Sequence, residues 1–506
     1  MASDAVGTER ISRVVGYKIK KGDFRTSSPN LPQRIVVLGE ANEANQATLD
    51  VSAKEITSAQ QAGQLYGYGS PIYHVLRILR PISGDGVGGI PVIVIPQAKA
   101  VGSVAKVMDI TPSLTTITGN GTHTVVVAGR GGVDYGYYDV EILTTDTVAS
   151  ISGKIADAIN AILGAPVIAT SGATKATATA KWAGLTSQDI SITIDTNGDS
   201  LGITYAVAQI TAGSGTPTIA AALDLFGNDW NTLIVNTYGT VPSIMTALEN
   251  FNGIPDPEIP TGRYVGVIMK PFIAITGSTA EDPTTITDAR LNNVTIAIAP
   301  APLSPGLPME AAANMALLFA RVSQDTPHLD VAGKSYPDMP TPLVIGAMAN
   351  YESRDAFVKK GCSTVDLIGG KYVVQDFVTT YHPLGETPPQ FRYCRNLMLD
   401  FNVRYGYYLL EQINVIDHAI ANDDDVVSAS NVVKPKQWVQ IVSKYGEDLV
   451  KRALIVDAPF MLESLEVNIS TVNPDRLETF FRYKRSGVVR IASTTAEAGF
   501  NFGTLN

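Results

Sequence analysis

The sequence predicts an α/β protein: a mostly parallel α/β core, an inserted β-rich domain and a C-terminal α+β domain. Three observations carry this. Short β-branched runs alternate with amphipathic helical stretches, a block rich in Thr, Ala and Gly interrupts them, and positive charge collects near the C-terminal end.

The runs are residues 34–39 (RIVVLG), 91–95 (PVIVI), 232–235 (TLIV), 264–269 (YVGVIM) and 294–299 (VTIAIA). None alternates with polar residues, as expected of strands covered on both faces. Helical patterns lie between them. Ser58 precedes AQQAGQLYG as an N-cap, and Ser70 with Pro71 opens PIYHVLRILR. Pro242 opens SIMTALENF and Pro308 opens MEAAANMALLFARV, first-turn positions where the missing proline N–H leaves no helical bond unmade. Buried strands alternating with helices make an α/β sheet.

Within residues 97–215 the pattern changes to alternating segments, 124–129 (TVVVAG), 137–143 (YYDVEIL), 176–182 (ATATAKW) and 190–196 (ISITIDT). One helix is expected at 150–163, with Ile151, Ile155, Ile159 and Leu163 on one stripe. This reads as a β-rich domain set into a loop of the α/β unit. The polar seams near Lys99 and Thr216 would be its hinges, and the domain should project outward.

The chain has 506 residues, which at about 100–200 per domain suggests three units. Its 38 basic and 48 acidic side chains give −10, which argues against a broad basic face for duplex nucleic acid. No run approaches 18 apolar residues, and Asp4 and Glu9 stand where a signal peptide would be basic, then apolar. A soluble chain outside the general secretory route is expected. Cys362 and Cys394 fit no zinc spacing and read as buried, reduced thiols.

Candidate chemistry is sparse. Residues 84–89, GDGVGG, satisfy G-x-G-x-x-G, but they follow a helix and precede a strand, the reverse of a dinucleotide site. A nucleotide-binding α/β enzyme using this loop is the reading from another functional class. His74, His123, His328, His382 and His418 are scattered, and there is no G-x-S-x-G elbow. Asn422 to Asp425 lack the calcium-loop pattern and read as a solvated turn. Neither cofactor nor metal is expected.

Residues 434–490 hold ten Lys or Arg against seven Asp or Glu, a local +3 that leaves −13 for the remainder. On a helix, Lys436, Lys444 and Lys451 fall within about 80° of one another, nearly opposite Trp438, Val442, Tyr445 and Leu449. Gly446 is a candidate break in that helix. An ordinary solvated face is the alternative to a binding stripe.

Several segments, taken in order, resemble the contractile tail sheath proteins of phages, most of all the Mu-like branch. They begin with PQRIVVLGEAN and TSAQQAGQLYGYGSPIYHVLRIL and continue with DTVASISGKIADAINAI and PVIATSGATKATATAKWAGLTSQDISITID. They then run through GSGTPTIAAALDLFGNDWNTLIVNTYG, VTIAIAPAPLSPGLPMEAAANMA and DLIGGKYVVQDFVTTYH to SLEVNISTVNPDRLETFF. The match spans roughly residues 30–500.

The resemblance implies a nonenzymatic subunit of hexameric rings stacked in a helix around a tail tube protein, with baseplate and tail terminator proteins as further partners. Contraction would drive the tube through the host envelope. A virion tail assembled in the host cytoplasm is implied, with no nucleic acid, no cofactor and no direct membrane insertion. A phage-derived R-type bacteriocin or other contractile injection system would share these mechanics. The implied layout is an inter-subunit arm (1–30), a discontinuous core (31–96 and 216–371), an outer insertion (97–215) and a tube-facing assembly domain with a terminal strand arm (372–506). Strands would be lent by Arg13, Val14, Val15, Tyr17 and Ile19 in RVVGYKI, and by Val488, Val489 and Ile491 in GVVRIA. Tube-facing basic residues would be Lys436, Lys444 and Lys451, with Lys434 and Arg452 as alternatives.

Overall fold

The computed structural model describes residues 29–256, 258–342, 350–386 and 389–498. Its central sheet has five parallel strands and one short antiparallel edge strand. Across the sheet they run Ile296–Pro300, Ile273–Ser278, Leu233–Asn236, Ile35–Glu40, Val92–Gln97 and, antiparallel, Lys54–Glu55. The chain order reverses between Ile35–Glu40 and Leu233–Asn236.

The unbroken apolar runs are explained by two buried faces. Val36, Leu38, Ile93, Ile95 and Ile234 pack with Ile244, Met245 and Leu248 of helix Pro242–Asn252. Their neighbours Ile35, Val37, Val92, Val94 and Val235 point the other way, into the cluster holding helices Pro71–Leu79 and Pro308–Asp325. Period-two alternation thus feeds two apolar layers. The expected caps are present: Ser58 Oγ accepts from Gln61 N at 3.2 Å, and Ser70 Oγ from Tyr73 N at 3.1 Å. Pro242 and Pro308 both sit in first turns.

One expected strand is absent. Residues 264–269 follow the short 3-10 turn Gly262–Tyr264 and then turn again, leaving Val267 93% exposed and Met269 at φ +36°. The Lys270 amide closes this loop on Arg263 O at 3.0 Å. The sheet uses the next β-branched run, Ile273–Ser278, which starts two residues after Pro271 in register with Leu233.

Besides the short antiparallel pair Gly132–Val133 with Gly136–Tyr137, the inserted segment forms two larger antiparallel sheets. One orders Ile203–Thr211, Val107–Leu114, Ala176–Ala180 and Val167–Ser171, and the other Ile192–Asp195, Gly121–Val127 and Asp139–Ile142. Strand Val107–Leu114 escapes sequence reading because Pro112 interrupts its run. The helix is Val148–Asn160, with Thr147 and Ser150 forming a reciprocal cap. Ile151, Ile155 and Ile159 are buried as expected, whereas Leu163 lies beyond the helix and is exposed.

The expected hinges are tied together. Val104 and Ser214 exchange both backbone hydrogen bonds, at 2.9 and 3.0 Å, so the segment leaves and returns side by side. A closed ring of four charges also fastens it to the core. Arg77 donates to Glu310 Oε1 and Asp338 Oδ2, both at 2.8 Å, while Arg130 of the insertion reaches Glu310 Oε2 at 3.2 Å and Asp338 Oδ1 at 2.6 Å. The Glu310 side chain is 1% exposed. Burial alone would raise its pKa, but Arg130 and Arg77 hold it well below the usual carboxylate range.

The described chain divides into two compact units, one of residues 29–30 and 406–484, the other of residues 31–405 and 485–498. Helix Cys394–Asn414 contributes residues to both. The smaller unit holds helices Pro435–Lys451 and Ala458–Glu463 and the hairpin Glu466–Ile469 with Leu477–Phe480. Cys362 and Cys394 are buried free thiols, and burial pushes Cys362 up to about 11. No helix among the described residues is long and apolar enough to cross a membrane.

Candidate assembly surfaces

Helix Pro435–Lys451 is amphipathic in the expected sense. Trp438, Val442, Tyr445 and Leu449 are buried, and Trp438 Nε1 donates to Thr479 Oγ1 of the hairpin at 3.0 Å. Gly446 does not break the helix. A Cβ there would stand 2.9 Å from Met461 Sδ, so the glycine lets Ala458–Glu463 pack close against the helix. The cost of a mid-helix glycine, about 1 kcal/mol, is offset by that packing.

Lys436, Lys444 and Lys451 are all exposed on the opposite face, and none forms an ion pair among the described residues. The stripe is not purely basic: Glu447 is exposed within about 20° of Lys436 at helical spacing. The alternatives Lys434 and Arg452 are engaged in their own unit. Lys434 Nζ donates to the carbonyls of Asp425 and Asp423, and Arg452 Nη2 donates to Asn30 Oδ1 at 2.6 Å. The acidic turn, beyond being solvated, completes the helix start: Asp423 Oδ1 accepts from Lys436 N at 2.8 Å.

The terminal segment 487–492, expected to pair with a neighbouring subunit, belongs to no strand within the described chain. It is held at alternate points within the larger unit. Arg395 donates to Ser486 O and, at 2.7 Å, to Ser486 Oγ. Arg490 pairs with Asp330, lies 3.6 Å from Asp376 and stacks 3.6 Å from the Tyr393 ring centre. Val488 is half-buried, while Val489 and Ile491 are 85% and 82% exposed. Arg13, Val14, Val15, Tyr17 and Ile19 lie outside the described residues.

The glycine-rich loop joins helix Pro71–Leu79 to strand Val92–Gln97, with Gly84, Gly86 and Gly88 at positive φ. No helix N-terminus follows it to receive a phosphate. Among the described residues, no group of three or more His, Cys, Asp or Glu is placed to hold a metal ion.

No family model and no curated protein matches this sequence. Among solved structures, the chain is similar to a sheath tail protein from Desulfitobacterium hafniense, with 10% identity over 93% of this chain and 99% of that one, at a TM-score of 0.43. It is also similar to the helical sheath of the anti-feeding prophage in its contracted state, with 12% identity over 97% and 100% of the two chains, at a TM-score of 0.47.

Proposed function

We propose that this chain is the structural subunit of a contractile tail sheath, polymerising as stacked hexameric rings around a tail tube and shortening to drive that tube through a host envelope. The observation that carries this reading is the ordered series of sheath-like segments along roughly residues 30–500. In this reading residues 1–30 are an inter-subunit arm, 31–96 and 216–371 the core, 97–215 an outer insertion and 372–506 the tube-facing assembly domain. The subunit works by changing its packing, without catalysis, as part of a virion tail that meets baseplate and terminator proteins at its ends.

Two surfaces support the reading. Lys436, Lys444 and Lys451 stand free on one helical face, suited to salt-sensitive contacts with an acidic tube that set register and break on contraction. Val489 and Ile491 are exposed on a segment outside any described strand whose intervening residue, Arg490, is anchored, which suits addition to a neighbour's sheet. An R-type bacteriocin or other injection particle would use the same surfaces.

Negative-stain microscopy of the purified chain tests the proposal. Rings or tubes are expected, and small closed oligomers at every concentration and salt condition would overturn it.

A further inference from the structure

Glu40 ends the strand at which the sheet order reverses, and the insertion folds back onto it. Glu40 is 2% exposed, and its Oε1 has no hydrogen-bond partner among the described residues. Gly184 of the insertion lies so close that a Cβ there would stand 2.9 Å from Glu40 Oε2, and its φ of +153° also favours glycine. The turn carrying Gly184 is braced within the insertion. Gly184 N donates to Val104 O at 3.1 Å, Leu185 N to Gly215 O at 2.7 Å, and Ser187 Oγ to Gly184 O at 2.7 Å. Three residues beyond Glu40, the Glu43 amide donates to the insertion's Lys181 O at 2.8 Å.

Among the described residues, none gives Glu40 a counter-charge. On the adjoining strand, Gln97 accepts from the Tyr238 phenol at 2.8 Å, so that phenol is engaged and neutral. Lys99 is paired with Glu43, and Lys181 Nζ donates to Leu163 O at 2.7 Å. From the insertion turn, Asp189 faces Lys106, whose Nζ donates to Ile190 O at 2.6 Å and Gln188 O at 2.8 Å. A carboxylate in this position would be an unpaired buried charge; a carboxylic acid would not.

We infer that Glu40 is a proton-held latch: as the neutral acid it seats the insertion's 184–189 turn on the carboxyl edge of the sheet, and losing the proton loosens that seat. Burial pushes the Glu40 carboxyl up to about 8. Once the turn lifts, the exposed group returns to the ordinary 4.5. The seated state therefore holds the extra proton between these values. Its advantage is complete below the lower value, falls tenfold for each pH unit above it, and levels off beyond the upper value. Asp189, which burial pushes up to about 6 against the pull of Lys106, contributes in the same direction only below that pH. Lys181, which burial pushes down to about 8, pulls the opposite way only near the upper end, so Glu40 dominates the interval from pH 6 to 8.

Hydrogen exchange followed by mass spectrometry, corrected for intrinsic rates, reads the seat in peptides covering residues 41–45 and 181–189. In the full chain their protection should fall about fiftyfold from pH 6 to 8. Glu40→Gln should abolish that fall while protection elsewhere is unchanged. An equal fall in both proteins would overturn the inference. Isotope-edited infrared spectroscopy covers a Glu40→Gln that fails to fold: a protonated-carboxyl Glu band at pH 6 to 7 that persists when Glu249, whose pKa burial also raises, is replaced by Gln supports the latch, and its absence overturns it.

Discussion

Replacing Glu310 by Gln tests whether the four-charge ring holds the insertion to the core. The substitution keeps the shape but removes the charge that faces both Arg77 and Arg130. Those guanidiniums would then share Asp338 alone, which is partly exposed. Breaking a buried pair by neutralising one partner costs about 3–5 kcal/mol, because the remaining charge stays desolvated. Arg130→Met leaves Glu310 bonded to Arg77 and should cost less, about 1–3 kcal/mol. Because the residues touch, the double variant should lose at least about 1 kcal/mol less than the sum of the two single losses. Urea unfolding of all four proteins provides the cycle, and proteolysis of the insertion shows where the loss is felt. A Glu310→Gln protein within about 0.5 kcal/mol of the unaltered chain, or strictly additive losses, would refute the argument. The ring also sets an acid limit. The native Glu310 pKa is depressed, so its stabilisation is present above the ordinary 4.5 and disappears as pH falls through the native value. Glu310→Gln should flatten that part of the acid-stability curve.

Three further outcomes follow from the surfaces and packing. Gly446→Leu should destabilise the smaller unit by about 1–3 kcal/mol by overfilling the space against Met461, measured by thermal denaturation. Trp438→Ala should cost about 3–5 kcal/mol, from the lost packing and the bond to Thr479, in the same assay. Lys436→Glu combined with Lys444→Glu should impair assembly on tubes while sparing tube-free polymerisation, and unchanged tube co-assembly by electron microscopy would remove the role given to that face.

The core was legible where local chemistry and global placement agree. Runs such as residues 34–39 lie between two apolar layers, and Ser58, Ser70, Pro242 and Pro308 start helices through bonds or missing donors within one turn. Residues 264–269 misled because apolar content is the same in a strand and in a loop with a buried Tyr264; Pro271 and the run after it were the better sign. The ring was invisible because Arg130 and Glu310 are 180 residues apart. The available hint was an acid in the first turn of the apolar helix Pro308–Asp325. Gly446 misled in the opposite direction, since helix propensity counts its conformational cost and not the neighbour it admits. On the candidate assembly surfaces, the lysine face followed from spacing, whereas the engagement of Lys434 and Arg452 needed the tertiary fold.

The reversal of strand order beside Ile35–Glu40 has one more consequence. Doubly wound sheets open a crevice at the carboxyl ends of their strands at such a point, and that is where they hold small molecules. Here residues 185, 186, 188 and 189 of the insertion reach over loops 238–242 and 277–280, leaving a cleft of about 380 Å³. One wall of that crevice is thus a piece of the insertion, covalently supplied and always present in equal number. A diffusible molecule entering the crevice would meet a tethered neighbour whose effective concentration never falls.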